Sequence, residues 1–297
     1  MEKTVIVGTE PKGLLLVEAL VRAFGPDAVR VTDSPEEMDR WEREGLRWNG
    51  EASPLVFARE AEGPADLVIF SGPAEWTEEA AALAAPWVER ETVVLTLAEG
   101  VGSEELLTLR LGPDKILSGV LQDADLEREG SEVTCRAPGS LWLGVPPEDY
   151  FDREEKLAVL LDYLGKTDLA VAREEDIFHR RWLDFLKHVG PGLVGAACGA
   201  SYGAMQTPGQ TRETLLAAMN EIRKAGACQG ILVTQKEMQG ILEEMAGMDP
   251  AGIPAMAGRT RELLQNGRLV LGAAAHSGMT TPVTEELCQT IEKKETK

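Results

Sequence analysis

The sequence predicts an α/β fold in two parts: a mostly parallel sheet with helices on both faces over residues 1–173, then an all-helical domain over residues 174–297. Three observations carry this reading. Residues 4–8 form an apolar, β-branched run closed by glycine and followed by a helical stretch. Strand and helix patterns then alternate as far as residue 97, as parallel strands joined by crossover helices require. After about residue 174 strand patterns mostly vanish. The segments there suit helices punctuated by Pro191, Pro208, Pro250, Pro254 and Pro282.

Thr4-Val5-Ile6-Val7-Gly8 reads as a strand, Gly8-Thr9-Glu10-Pro11-Lys12-Gly13 as a tight turn, and residues 14–24 as a helix. That order opens a Rossmann-like dinucleotide-binding unit. Gly8 and Gly13 supply the first and third glycines of the G-x-G-x-x-G fingerprint, but Glu10 stands at the middle position. A glycine there lets backbone amides approach a pyrophosphate. A carboxylate adds bulk and negative charge at the helix N-terminus, where the anion sits. The candidate binding residues of this loop are Gly8, Thr9, Glu10 and Gly13.

The next strand covers residues 28–32, and Ser34 with Pro35 caps a charged helix over 36–44. Asp33 lies 20 residues beyond Gly13 and just past this strand, the place from which an acid grips a ribose 2′-hydroxyl. Helix capping beside Ser34 is an equally good reading of it. Residues 46–48 and 55–58 suit short strands around an Asn49-Gly50 turn, and 66–70 a buried strand. A helix over 75–88 and a strand over 92–97 follow. Residues 131–136 and 140–144 read as antiparallel strands that finish the sheet, followed by a helix over 154–164 and a short strand over 169–171. The helical part divides into 177–189, 193–203, 211–226, 235–245, 257–266, 268–277 and 284–294. The small, apolar run around Cys198 suggests a buried helix. Parallel sheets bind ligands at the carboxyl ends of their strands, so the loops 8–13, 32–35, 71–77 and 98–102 are the candidates, and Gly72, Glu99 and Gly100 join the dinucleotide set.

The chain has 297 residues, 43% hydrophobic and 27% charged, with a net charge of −20. That charge argues against nucleic acid and against anionic membrane surfaces as partners. No apolar run reaches the length of a membrane span, and the first residues lead straight into a strand. Four scattered cysteines suit a reduced, cytoplasmic protein, and the three histidines lack the spacing of a metal site. Trp41, Trp48, Trp76, Trp142 and Trp182 read as packing residues.

Several stretches together resemble the ketopantoate reductase (2-dehydropantoate 2-reductase) family. They are Asp66-Leu67-Val68-Ile69, the run from Val94 to Glu105, Ile116-Leu117-Ser118-Gly119-Val120 and Pro138 to Gly144. Later landmarks are Glu175-Asp176-Ile177 before Trp182, Ala200-Ser201-Tyr202-Gly203, Gly258 to Glu262, Asn266-Gly267 and Thr281-Pro282. The order is right over nearly the whole chain. The resemblance implies a helical domain of the 6-phosphogluconate dehydrogenase C-terminal type. It also implies a nicotinamide cofactor (NADP by family habit, NAD if Asp33 reads the ribose) and reduction of a 2-oxoacid such as 2-dehydropantoate, as in pantothenate biosynthesis. A homodimer is compatible with it.

The same comparison shows departures. Pro73 stands where the family has a lysine, and Glu99 where it has the asparagine of an asparagine-glycine turn. Asp184 falls on the catalytic lysine, and His188 and Gly192 fall on two asparagines; Glu262 resembles the substrate-binding carboxylate. In the family a lysine ammonium protonates the developing alkoxide. A carboxylate does the reverse unless burial raises its pKa. His188 lies one helical turn beyond Asp184, and the pair could work as an acid oriented by a carboxylate. The candidate catalytic residues are therefore Asp184, His188 and Glu262. Three readings follow: a 2-oxoacid reductase with altered residues, a non-catalytic descendant that binds ligands or partners (a pseudoenzyme), or an NAD-dependent dehydrogenase of another substrate using Asp184 and His188.

Overall fold

The computed structural model describes residues 1–98, 102–146 and 153–295. The chain forms two compact units, Met1–Arg180 and Arg181–Lys297.

The first unit begins with β1 (Thr4–Val7), α1 (Pro11–Phe24), β2 (Val29–Thr32), α2 (Pro35–Glu44), β3 (Leu46–Trp48), β4 (Glu51–Ser53) and β5 (Leu67–Phe70). It continues with α3 (Thr77–Ala84), β6 (Val93–Thr96), α4 (Ser103–Leu111), β7 (Ile116–Gln122), β8 (Asp125–Glu129), β9 (Glu132–Ala137) and β10 (Ser140–Gly144). α5 (Glu154–Leu164) and β11 (Ala170–Arg173) complete its elements before the last long helix begins. Seven strands make one sheet in the order β11-β10-β7-β6-β5-β1-β2. The stretch from β7 to β2 is parallel, and β10 runs antiparallel to β7. Every residue of β1, β5 and β6 is buried, as coverage of both faces demands. Because β1 lies between β2 and β5, the chain changes direction across the sheet there. Gly8 and Gly72 follow the carboxyl ends of those two central strands, the place where such sheets open a ligand crevice.

Four further strands form a second sheet in the order β4-β3-β9-β8. Here the structure departs from the expectation that residues 131–136 and 140–144 both finish the main sheet. β10 does so, but β9 turns away to pair with β8 and β3. Asn49 and Gly50 take positive φ, 49° and 84°, and close the β3–β4 hairpin in a two-residue turn. The Asn49 side chain then accepts the Cys135 amide at 2.8 Å, which helps tie β9 to that hairpin. Residues 55–58 contribute one bridge, Val31 to Phe57, rather than a strand. Helix α1 is apolar on most of its circumference because two sheets cover it: Trp48 and Val133 share its core with Ile6 and Ile69.

The second unit carries most of α6 (Ile177–Cys198), then α7 (Tyr202–Gln206), α8 (Gln210–Cys228), α9 (Gln235–Ala246), α10 (Thr260–His276) and α11 (Pro282–Glu295). Two expected helix breaks are absent. α6 runs through Pro191, and α10 runs through Gly267. Packing overrides the local signal in both places. A β-carbon on Gly190 would stand 2.8 Å from Met219 of α8, and one on Gly267 would strike Cys288 of α11, so these glycines let helices approach closely rather than end them. Cys198 is exposed at the end of α6, not buried as its apolar neighbours suggested. The buried Glu221 of α8 accepts the amides of Val283 (3.1 Å) and Thr284 (2.8 Å) and the Thr284 hydroxyl (2.8 Å). It thereby satisfies otherwise unpaired donors at the start of α11. Among the described residues, no helix is long and apolar enough to cross a membrane.

Candidate functional site

The loop after β1 has the geometry of a dinucleotide turn. Gly8 sits at φ +101°, where only glycine is unstrained, and its amide donates to Thr32 O at 2.9 Å. A β-carbon on Gly13 would collide with Ser71, whose hydroxyl donates to Gly8 O at 3.0 Å. The third glycine therefore performs the close helix–strand packing that the fingerprint assigns to it. Glu10 is the extended N-cap residue of α1, and its side chain makes no capping bond to the helix. Pro11 occupies the first helical position and has no N–H. Of the amides that such a turn offers a phosphate, one is missing, and a carboxylate flanks the rest.

Asp33 is 6% exposed. Its Oδ2 accepts the Thr9 amide at 2.8 Å and the Thr9 hydroxyl at 2.7 Å, and its Oδ1 accepts the Ser34 amide at 2.6 Å. Burial pushes its carboxyl above the ordinary value, while these three donors and the charge of Arg40 pull the other way. The capping of α2 falls to Ser34, which accepts the Glu37 amide at 3.3 Å. Asp33 instead ties the end of β2 to the glycine turn. A carboxylate has about four acceptor positions, and three are taken, which leaves room for one ribose hydroxyl.

Beyond Asp33 lies a set of side chains that sequence reading did not assemble. Arg128 of β8 donates to Thr9 O at 3.1 Å and lies 3.5 Å from Glu37. Arg40 lies 2.9 Å from the same Glu37 oxygen. Both guanidinium groups stand over the Trp41 ring, at 4.6 and 5.1 Å from its centroid. Nothing local could have signalled Arg128, which is 119 positions from Thr9 in the sequence.

At the other lip of the crevice, Gly72 is buried. β-Carbons on Gly72 and Gly8 would stand 2.6 and 3.2 Å from the Trp76 ring, so Trp76 covers both glycines. Glu99 and Gly100, the remaining candidates of the dinucleotide set, lie outside the described residues.

On α6, Asp184 Oδ1 is 3.4 Å from His188 Nε2, with the carboxylate 26% and the imidazole 51% exposed. Asp184 also acts on Arg181, one turn earlier. Burial pulls that guanidinium down to about 10, opposed by the Asp184 charge, so it remains a buried cation at neutral pH. Asp184 thus faces both the His188 imidazole and the buried Arg181 cation. Lys187 is engaged by Glu244 of α9 at 2.6 Å. At Gly192 a β-carbon would stand 2.9 Å from Met256 and 3.1 Å from Leu263. The space an asparagine would use there is filled. Glu262, in the first turn of α10, is 14% exposed and 3.7 Å from Arg259.

Comparison with known proteins bears on this arrangement. Residues 4–148 match the ketopantoate reductase PanE/ApbA family model. The match covers the first unit as far as β10 and agrees with the family resemblance read from the sequence. No curated protein sequence matches the chain. Among solved structures, D-mandelate dehydrogenase with NADH and anilino(oxo)acetate is similar at 18% identity over 99% of this chain and 98% of its own, with a TM-score of 0.85. 2-Dehydropantoate 2-reductase from Geobacter metallireducens is 24% identical over 98% of this chain and 99% of its own, with a TM-score of 0.83. A dimeric ketopantoate reductase from Staphylococcus aureus is 12% identical over 98% of both chains, with a TM-score of 0.80. At these identities the likeness is one of fold.

Proposed function

We propose that the chain is a nicotinamide-dinucleotide-dependent reductase of a small 2-oxoacid, and that it takes NADH rather than NADPH. The observation that carries this reading is the bonding of Asp33 to Thr9, which holds an acid against the Gly8–Gly13 turn. Gly8, Thr9, Gly13 and Gly72 would hold the dinucleotide, and Asp33 its ribose. A 2′-phosphate would be set against the Asp33 carboxylate, which disfavours NADPH. When bound, the dinucleotide supplies the hydride. Of the chain's own groups, His188 is the proton donor for the resulting alkoxide, and Asp184 orients its imidazole. Glu262 takes the substrate role that the family resemblance assigns to it. By likeness to the dimeric reductase, the assembly is a homodimer.

A second reading, a non-catalytic family descendant that retains binding, is favoured by a specific observation. Gly192 is packed against Met256, so the polar group the family resemblance puts at that position has no space. NADH oxidation by the purified protein, followed with 2-dehydropantoate and with an aryl 2-oxoacid, separates the two. The first reading expects substrate-dependent oxidation that falls about 100-fold or more in His188→Gln. Absence of oxidation with every 2-oxoacid tried, in protein that binds NADH, would leave the second.

A further inference from the structure

We propose that Glu37 is a second determinant of dinucleotide choice: its carboxylate occupies the cationic pair Arg40 and Arg128, which without it would form a 2′-phosphate site. This rests on the reading that the first unit binds a dinucleotide through Asp33 and the Gly8 turn. The cluster continues from that site without a break. Asp33 holds Thr9, Thr9 O accepts from Arg128, and Arg128 and Arg40 meet at Glu37 Oε2, at 3.5 and 2.9 Å.

Three features mark this as more than a solvated charge cluster. The two guanidinium groups come from different elements, α2 and β8, and share one aromatic ring, Trp41. Trp41 is itself 1% exposed, so the cations stand on a rigid base. Nε and Nη2 of Arg40 are buried and make no hydrogen bond among the described residues, although Nη2 lies close to Glu37. Nη2 thus meets a carboxylate that pairs with it by charge without satisfying its direction. Planar guanidinium donors suit a tetrahedral phosphate dianion, and a 2′-phosphate begins one bond beyond the hydroxyl that Asp33 would hold. Burial pushes the Glu37 carboxyl up, Arg40 pulls it down, and the charges of Asp33 and Glu44 push it further up. A second anion placed here would meet both Glu37 and Asp33. The cluster as built therefore repels a 2′-phosphate while carrying the cations that could bind one.

The test is equilibrium binding of NADH and NADPH, followed by nicotinamide fluorescence, to the wild type, Glu37→Gln, and Glu37→Gln with Arg128→Met. Glu37→Gln keeps the amide that Ser34 caps and removes only the charge. The expected result is a wild-type preference for NADH, a shift of the affinity ratio toward NADPH by about tenfold or more in Glu37→Gln, and loss of that gain when Arg128 is also replaced. An unchanged ratio in Glu37→Gln, or a wild-type preference for NADPH, overturns the role of Glu37 and leaves dinucleotide binding standing. Failure of folded wild type and variants to bind either cofactor overturns the dinucleotide reading itself, and this inference with it.

Discussion

Replacing Glu10 by glycine and Pro11 by alanine together is expected to tighten NADH binding by about 30- to 100-fold. The turn after β1 keeps its left-handed Gly8 and its close Gly13–Ser71 packing, so the scaffold for a pyrophosphate is present. What it lacks is donors and neutrality. A carboxylate at a helix N-terminus opposes an anion there by up to roughly 1 kcal/mol. An amide restored at position 11 adds one hydrogen bond to a charged oxygen, about 1.5–3 kcal/mol. Together these amount to roughly 2–4 kcal/mol, and the lower part of that range, about 2–2.7 kcal/mol, is the stated gain in affinity. Glu10→Gly alone should give up to about a fivefold gain, and Glu10→Gln most of the charge component. Calorimetric titration of the three variants reads the effect. Unchanged affinity in the double variant would mean that the phosphates do not lie on this turn.

Glu221→Ala is expected to cost about 3 kcal/mol of stability and to lower the thermal midpoint by roughly 6–12 °C. The carboxylate is buried on α8 and accepts three donors from Val283 and Thr284. Truncation leaves two amides and a hydroxyl without an acceptor at the start of α11, where water has little access. α11 also packs on α10 through the Gly267–Cys288 approach, so freeing its first turn loosens that contact as well. Glu221→Gln retains one acceptor oxygen and should show about half the loss. Thermal unfolding followed by circular dichroism measures it. A midpoint within about 1 °C of wild type would show that α11 is held by packing alone.

The features legible in the sequence were those that local chemistry dictates. Gly8, Gly13 and Asp33 are separated by one strand–turn–helix–strand unit, so spacing alone put them together, and the structure joins Asp33 to Thr9 beside Gly8. The direction of Asp33 was not legible. Whether it capped α2 or faced the turn depended on Ser34 taking the cap. The second sheet was hidden because β8, Asp125–Glu129, is a polar strand with alternating half-buried residues and no apolar run to announce it. Arg128 was hidden with it, since its place over Thr9 follows from that sheet's position on α1. Pro191 and Gly267 read as breaks because proline and glycine end helices when nothing else intervenes. Here close packing on neighbouring helices outweighs that preference. Trp41 and Trp76 read as filler. One carries two guanidinium groups and the other roofs Gly8 and Gly72, relations that depend on loops meeting in space.

The proposed function requires that the first unit hold a dinucleotide, and calorimetric titration of the purified wild-type protein with NADH and, separately, NADPH tests that most directly. The expected result is saturable binding of NADH, tighter than NADPH by about tenfold, a difference of about 1.4 kcal/mol. No heat from either cofactor, in protein shown by circular dichroism to be folded, would contradict it.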